Sequence, residues 1–358
     1  MIHLVRSIGF WLGLTNLVTA LARLPVLGWY ANRRRDAGAG LSLAGLMLLG
    51  KRPSLWALPL ALPLQLAAAS VRGRWHHPLA PFTPGAAGNP LGRCTALELP
   101  LAAGETLPGL LLRPPSPTGA GVVVCHGAGN DKTKYAWRML NALLDAGLTV
   151  LAIDLDGHGE NRRRLRIPGV EENVQVAVAH LRAECARVGV VGVSLGGCVA
   201  ARAVADGVEV DALALVEAPL TLDLASLPYL WSEFLGLCRP AFWRATDRVT
   251  PLQLLRSWEG RMESEHTLGA HFDLLDLRSA LTRISCPMLL LYGTGDVIAP
   301  FAPVQALLSQ LSNATLHLHG GATHLSLTME ERPLEDLALW LGATLQETSS
   351  HCLALPEV

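Results

Sequence analysis

The segment RVGVVGVSLGGCVAARAVADG, residues 187–207, constrains this chain more than any other stretch. The part up to Val193 is almost wholly apolar and reads as a strand buried on both faces; the part after Ser194 reads as a helix of small residues. Ser194 stands at the junction, between Gly192 and Gly196, in the spacing G-x-S-x-G. A strand that turns at once into a helix crowds the atoms at the turn. Glycine at those two positions removes the Cβ atoms that would collide. The helix N-terminus then aims free N–H groups, and the positive end of the helix dipole, at the same point. The spacing therefore predicts an elbow that lifts a hydroxyl above the sheet edge, where a developing oxyanion is stabilised. Gly and Ser are also ordinary turn residues, so the elbow needs partners elsewhere in the chain.

Further apolar runs of strand length follow one another along the chain: GVVVCHG (121–127), LTVLAIDLDG (148–157), VDALALVEAP (210–219), PMLLLYGTGD (287–296) and ATLHLHGG (314–321). Helical patterns lie between most of them, as in KYAWRMLNALLDAG, VEENVQVAVAHLRAEC and PVQALLSQL. The alternation predicts an α/β fold with a doubly wound, mostly parallel sheet. CTALELPL and TLPGLLLRP read as an opening hairpin. The long interval from about 220 to 284 reads as a helical lid insertion. Its Trp231, Phe234, Phe242, Trp243 and Trp258 are divided between lining an apolar acyl pocket and packing the lid. The domain is expected over 94–345, with a Pro/Gly-rich linker at 76–93 and a tail at 346–358.

A serine hydroxyl is a weak nucleophile and needs a base. Among the 12 histidines, His324 in GGATHLSL follows the last strand, at the carboxyl ends where open α/β sheets hold their sites. His158, in DLDGHGE, also ends a strand and reads as loop structure. His317 and His319 share one face of a strand, with no third ligand at an obvious spacing, so no metal is expected. Asp296 ends an apolar strand in LLLYGTGDVIAP and is the acid expected to hold the imidazole in the right tautomer. Glu217, in ALVEAP, is the alternative acid. The two oxyanion donors are expected to be the backbone N–H groups of Leu195, after the elbow, and of Ala128, in VVVCHGAGNDK.

HGAGN, DLDGHGEN, GVSLGG, YGTGDVIAP and GATH occur in this order over about residues 94–345, and in this the chain resembles the α/β-hydrolase superfamily. It is most similar to the esterase, dienelactone-hydrolase-like and serine-aminopeptidase-like branches. The resemblance implies the α/β-hydrolase fold and a Ser194–His324–Asp296 triad working without a cofactor. Asp156 stands where the family commonly has Arg before Gly-His-Gly, which implies a changed site rim. The expected reaction is cleavage of a carboxylic ester of a small molecule, with an apolar acyl group, through an acyl-enzyme. A peptidase or thioesterase with the same triad, and a non-catalytic membrane-anchored scaffold, are the alternatives.

With 29 basic and 30 acidic residues, no global field recruits nucleic acid. Seven cysteines without a CxxC, most of them in apolar runs, read as buried free thiols, which favours a reducing compartment such as the cytoplasm. Residues 1–75 are different in character. IGFWLGLTNLVTALARLPVLGWY (8–30) has one charge in 23 residues, and as a helix would span about 34 Å. Membrane association through 1–75 is the expectation. The arginines at 33–35, with Lys51 and Arg52, would place the connection between two spans in the cytoplasm, against the lean of the cysteines.

Overall fold

A computed structural model of the chain describes residues 2–21, 52–60, 93–132, 138–220, 264–266 and 268–346. The chain divides into two compact units, Met1–Ala80 with Arg248–Met262, and Pro81–Asp247 with Glu263–Val358.

In the first unit, helix α1 (Ile2–Leu21) holds the stretch that follows residue 52. The buried Ser7 hydroxyl donates to the His3 carbonyl (2.9 Å) and accepts from the Ser54 N–H (3.0 Å). The Trp11 indole donates to the Ser54 carbonyl (2.9 Å), just ahead of a 3₁₀ turn at Leu55–Ala57. No helix among the described residues is long and apolar enough to cross a membrane. The apolar stretch 8–30 continues past Leu21 into residues outside those described. Residues 76–92 of the 76–93 linker, residues 221–263 of the lid interval, with Trp231, Phe234, Phe242, Trp243 and Trp258, and the tail from 347 also lie outside them.

The second unit is built on a sheet whose strands are β1 (Arg93–Pro100), β2 (Thr106–Arg113), β3 (Ala120–Cys125), β4 (Thr149–Ile153), β5 (Arg187–Val193), β6 (Ala212–Val216), β7 (Met288–Gly293) and β8 (Ala314–His319). Their spatial order is β1-β2-β4-β3-β5-β6-β7-β8. β1 and β2 form the opening antiparallel hairpin, and β2 pairs antiparallel with β4; the remaining pairs are parallel. Its helices among the described residues are α2 (Met139–Asp145), α3 (Glu171–Arg182), α4 (Leu195–Ala205), α5 (Leu268–Leu275), α6 (Leu277–Leu281), α7 (Phe301–Leu307) and α8 (Glu331–Gln346).

The all-apolar runs become strands because helices cover both faces of the sheet. Val122 and Val124 of β3, Val191 and Val193 of β5, and Leu289 and Leu291 of β7 share one core with Leu140 and Leu143 of α2 and Leu337 and Leu341 of α8. The opposite face carries α3 and α4. Each Val or Leu buried in this way contributes about 1.5–3 kcal/mol relative to exposure. From β3 the chain goes to β4 on one side and then crosses to β5 on the other. That reversal opens a crevice at the carboxyl ends of β3 and β5. The elbow after β5 lies there.

Candidate active site

Ser194 has φ 49° and ψ −117°, in a region that non-glycine residues enter at a cost of about 1–3 kcal/mol. It directly precedes α4, but its hydroxyl does not cap the helix. Hydrogen bonds hold the strained backbone: the Ser194 N–H donates to the Val216 carbonyl (2.9 Å), and the Ser194 carbonyl accepts from Gly197 N–H (2.9 Å) and Cys198 N–H (3.2 Å). Space is the other constraint. A Cβ on Gly196 would lie 2.4 Å from the His126 carbonyl oxygen, and one on Gly192 would lie 2.5 Å from the Gly197 Cα. No side chain fits at either position. Leu195 begins α4, so its N–H belongs to the first turn, where a helix has no acceptor of its own to offer.

The Ser194 Oγ is 3.0 Å from His324 Nε2, and His324 Nδ1 is 2.8 Å from Asp296 Oδ2. The other Asp296 oxygen, Oδ1, accepts from the N–H groups of Ile298 (2.8 Å) and Ala299 (2.9 Å). Both carboxylate oxygens are therefore oriented. The loops after β7 and β8 are tied together by Thr294 N–H to the His319 carbonyl (3.0 Å), Gly295 N–H to the Ala322 carbonyl (2.9 Å) and Gly321 N–H to the Thr294 hydroxyl (2.7 Å). This lacing brings Asp296 and His324, which lie 28 positions apart, into contact. The Asp296 side chain is 0% exposed and that of His324 11%. An imidazole with a carboxylate on Nδ1 and a hydroxyl on Nε2 is arranged to take the hydroxyl proton.

Glu217 follows β6 directly, with φ 48°, and its Oε2 is 3.9 Å from His324 Nδ1. Ligand-type atoms of Glu217, Asp296 and His324 thus lie within 4.8 Å of one another. The group is not read as a metal centre, because Asp296 spends one oxygen on two backbone amides and the other on the imidazole.

The loop after β3 runs against the elbow: a Cβ on Gly127 would come 3.3 Å from the Ser194 Cβ. Ala128 follows it, inside a turn closed by Asn130 N–H to the Gly127 carbonyl (3.2 Å). His126 anchors this loop. Its Nε2 accepts from the Leu155 N–H (3.1 Å), which puts the ring proton on Nδ1, facing the Gly127 carbonyl (2.8 Å). Burial outweighs the neighbouring carboxylates and keeps the His126 pKa below the ordinary value. His158 is fully buried, edge-on to the His126 ring with 4.9 Å between centroids, and its Nδ1 contacts the Asp156 carbonyl (2.9 Å). It is loop structure.

Three features of the region escaped the sequence reading. Lys132 donates through Nζ to Asp154 Oδ2 and Glu160 Oε2 (2.6 Å each), while its backbone N–H reaches Asp154 Oδ1 (2.7 Å). This cross-link fastens the loop after β3 to the loop after β4. Burial opposes the lysine charge, yet the two carboxylates hold its pKa above the ordinary range. A signal was available: Lys132 is one of only three lysines in the chain and sits in the loop that carries Ala128. Second, Asp156 lies on no open rim. It is buried, accepts from the Asn161 amide (3.1 Å) and pairs with Arg163 (3.4 Å), and burial raises its carboxyl pKa. Third, His317 Nδ1 (2.7 Å) and His319 Nε2 (3.2 Å) both meet Asp336 Oδ2 of α8. The free cysteines among the described residues include Cys125 and Cys198, both buried; burial pushes the Cys125 thiol up to about 12 and that of Cys198 higher.

The fold agrees with comparisons to known proteins. Residues 122–338 match the model of the alpha/beta hydrolase family, which is more than half of the chain. The chain belongs to that family. Among curated proteins it is 27% identical over 248 residues to 2,6-dihydropseudooxynicotine hydrolase of Paenarthrobacter nicotinovorans. The match takes in 66% of this chain and spans 61% of that relative's length. Among solved structures, an esterase of Pyrococcus furiosus superposes with a TM-score of 0.52 at 19% identity, covering 76% of this chain and 99% of that one. A thermophilic esterase of Thermogutta terrifontis gives 0.50 at 20% identity, covering 71% and 99%.

Proposed function

We propose that the chain is a serine hydrolase that cleaves a carboxylic ester of a small molecule through an acyl-enzyme. The observation that carries this reading is the hydrogen-bonded line Ser194 Oγ–His324 Nε2 (3.0 Å) and His324 Nδ1–Asp296 Oδ2 (2.8 Å). His324 takes the hydroxyl proton as Ser194 attacks the ester carbonyl, and Asp296 stabilises the imidazolium that forms. The N–H groups of Leu195 and Ala128 hold the oxyanion of the tetrahedral intermediate. His324 then passes its proton to the departing alcohol. In the second half of the cycle it takes a proton from the water that attacks the acyl-enzyme, and returns that proton to the Ser194 oxygen as the acid leaves.

Several structural neighbours are named esterases, in keeping with an ester substrate. Five aromatic residues between 231 and 258 favour an apolar acyl group. Membrane association through residues 1–75 belongs to the same proposal, and detergent-free fractionation of the full chain against one lacking those residues tests it.

Fluorophosphonate labelling tests the chemistry. The full-length chain should be labelled, and Ser194→Ala should abolish labelling. Hydrolysis of p-nitrophenyl esters of graded acyl length, beside peptide amides and thioesters, then ranks the substrate classes. A wild-type chain that is folded but neither labelled nor hydrolytic overturns the proposal.

A further inference from the structure

Among the described residues only three non-glycine residues have positive φ: Ser194, Glu217 and Asp276. Asp276 is accounted for locally, since it caps α6 with its own side chain. The other two converge on His324, Ser194 at Nε2 and Glu217 at 3.9 Å from Nδ1. Their backbones are linked as well. The Ser194 N–H donates to the Val216 carbonyl, and the next residue's N–H, that of Glu217, donates to the Leu291 carbonyl of β7 (2.9 Å each). The elbow, Glu217 and the strand leading to Asp296 form one hydrogen-bonded step. The Glu217 side chain is 3% exposed, and a buried carboxylate is costly unless a charge or donor answers it. One group that faces it is the His324 imidazole, which also carries Asp296.

We infer that Glu217 is a second positioning carboxylate for His324, resting on the serine-hydrolase reading above. In the resting site it acts through charge alone, because 3.9 Å is beyond hydrogen-bond reach. Its negative charge favours the imidazolium that forms when Ser194 attacks. When the Asp296 carboxylate is removed, Glu217, 3.9 Å away, is a carboxylate that still faces the Nδ1 proton, and its charge favours the productive tautomer. Titratable groups packed near this pair include Tyr292 of β7 and Cys198 of α4. The Tyr292 hydroxyl donates to the Ala218 carbonyl, and the Cys198 thiol to the Pro219 carbonyl (3.6 Å). Burial raises the pKa of both groups, so both stay neutral through the acid and neutral range.

The test uses the rate constant of fluorophosphonate labelling of the full-length chain, with circular dichroism and a cooperative melt as the check on folding. Asp296→Asn places an amide N–H₂ opposite Nδ1 and forces the wrong tautomer, so labelling should fall by about 10⁴-fold, whatever Glu217 does. Asp296→Ala removes the acceptor without imposing a tautomer and should fall by only about 10²-fold. Asp296→Ala with Glu217→Gln should then drop to the level of Asp296→Asn. In Glu217→Gln alone, the acid limb of the labelling profile should move to lower pH by about one unit, since an anion beside the imidazole is gone. A purely structural role for Glu217 predicts lower stability with the limb unmoved.

Equal rates for Asp296→Ala and Asp296→Asn overturn the inference, and that comparison holds even if the Glu217 variants do not fold. An unmoved acid limb in a folded Glu217→Gln also overturns it. If the wild type is not labelled at all, the serine-hydrolase reading fails instead.

Discussion

His317 and His324, neighbours along the chain, each meet an aspartate, and the two pairs could hardly differ more in setting. His317 meets Asp336 at 2.7 Å, and His324 meets Asp296 at 2.8 Å. By distance they are the same interaction. The first joins edge strand β8 to α8, with side chains 30% and 33% exposed, and its carboxylate is shared with His319. The second has an Asp296 side chain with no exposure, oriented by two backbone amides, and a serine hydroxyl on the far nitrogen. Water screens the first pair; the second is withheld from water and has a hydroxyl on its far nitrogen. A short His–Asp contact therefore says little by itself. Burial, and what occupies the other ring nitrogen, decide what the pair can do.

Breaking each pair should separate them sharply. Asp296→Asn should lower ester hydrolysis or fluorophosphonate labelling by about 10⁴-fold while the chain stays folded. Next in size is a third carboxylate, Asp154, as buried as Asp296 but answered by an ammonium group. Lys132→Met leaves it without that partner and should destabilise the chain by about 3–5 kcal/mol, read from urea denaturation. A third imidazole sharpens the point about burial. His271 is fully buried against Ser264 and His266, with no carboxylate partner among the contacts of its described neighbours. Burial first, and His266 second, lower its pKa to about 4 from the ordinary 6.5. Between those values the unfolded chain binds a proton that the native chain refuses, so this group's contribution to stability is lost as pH falls from about 6.5 towards 4. The lowered pKa of His126 acts in the same direction. Denaturation midpoints taken from pH 7 to 4 should fall less steeply in His271→Gln than in the wild type. Smallest of all, Asp336→Asn should leave activity unchanged and cost less than about 1 kcal/mol. A large loss of activity there would mean that the β8–α8 edge bears on the site.

The strands were readable because a sheet covered on both faces asks only for apolar residues. VVVC and LALV become β3 and β6 with every residue buried. The convergence of Ser194, Asp296 and His324 was readable for a related reason: each follows a strand of that sheet, and parallel strands deliver their carboxyl ends to one rim. What connects loops or elements sideways was not readable. Lys132 reaches Asp154 across 22 positions, and Asp336 reaches His317 across 19; both depend on how a loop or helix is rotated against its neighbour, which no periodicity encodes. Glu217 was visible as a carboxylate at a strand end. Its left-handed backbone and its distance from His324 belong to the packed state.

The hydroxyl of Ser194 and the imidazole of His324 are separated by 130 positions, with β6, β7 and β8 formed from the chain between them. As the polypeptide leaves the ribosome, the elbow can assemble long before its base exists. Until β8 docks at the edge of the sheet, the serine is chemically an ordinary alcohol. On the proposed mechanism the serine would gain its reactivity only with the chain as far as His324 in place, so acylation would report completion of the sheet's last strand.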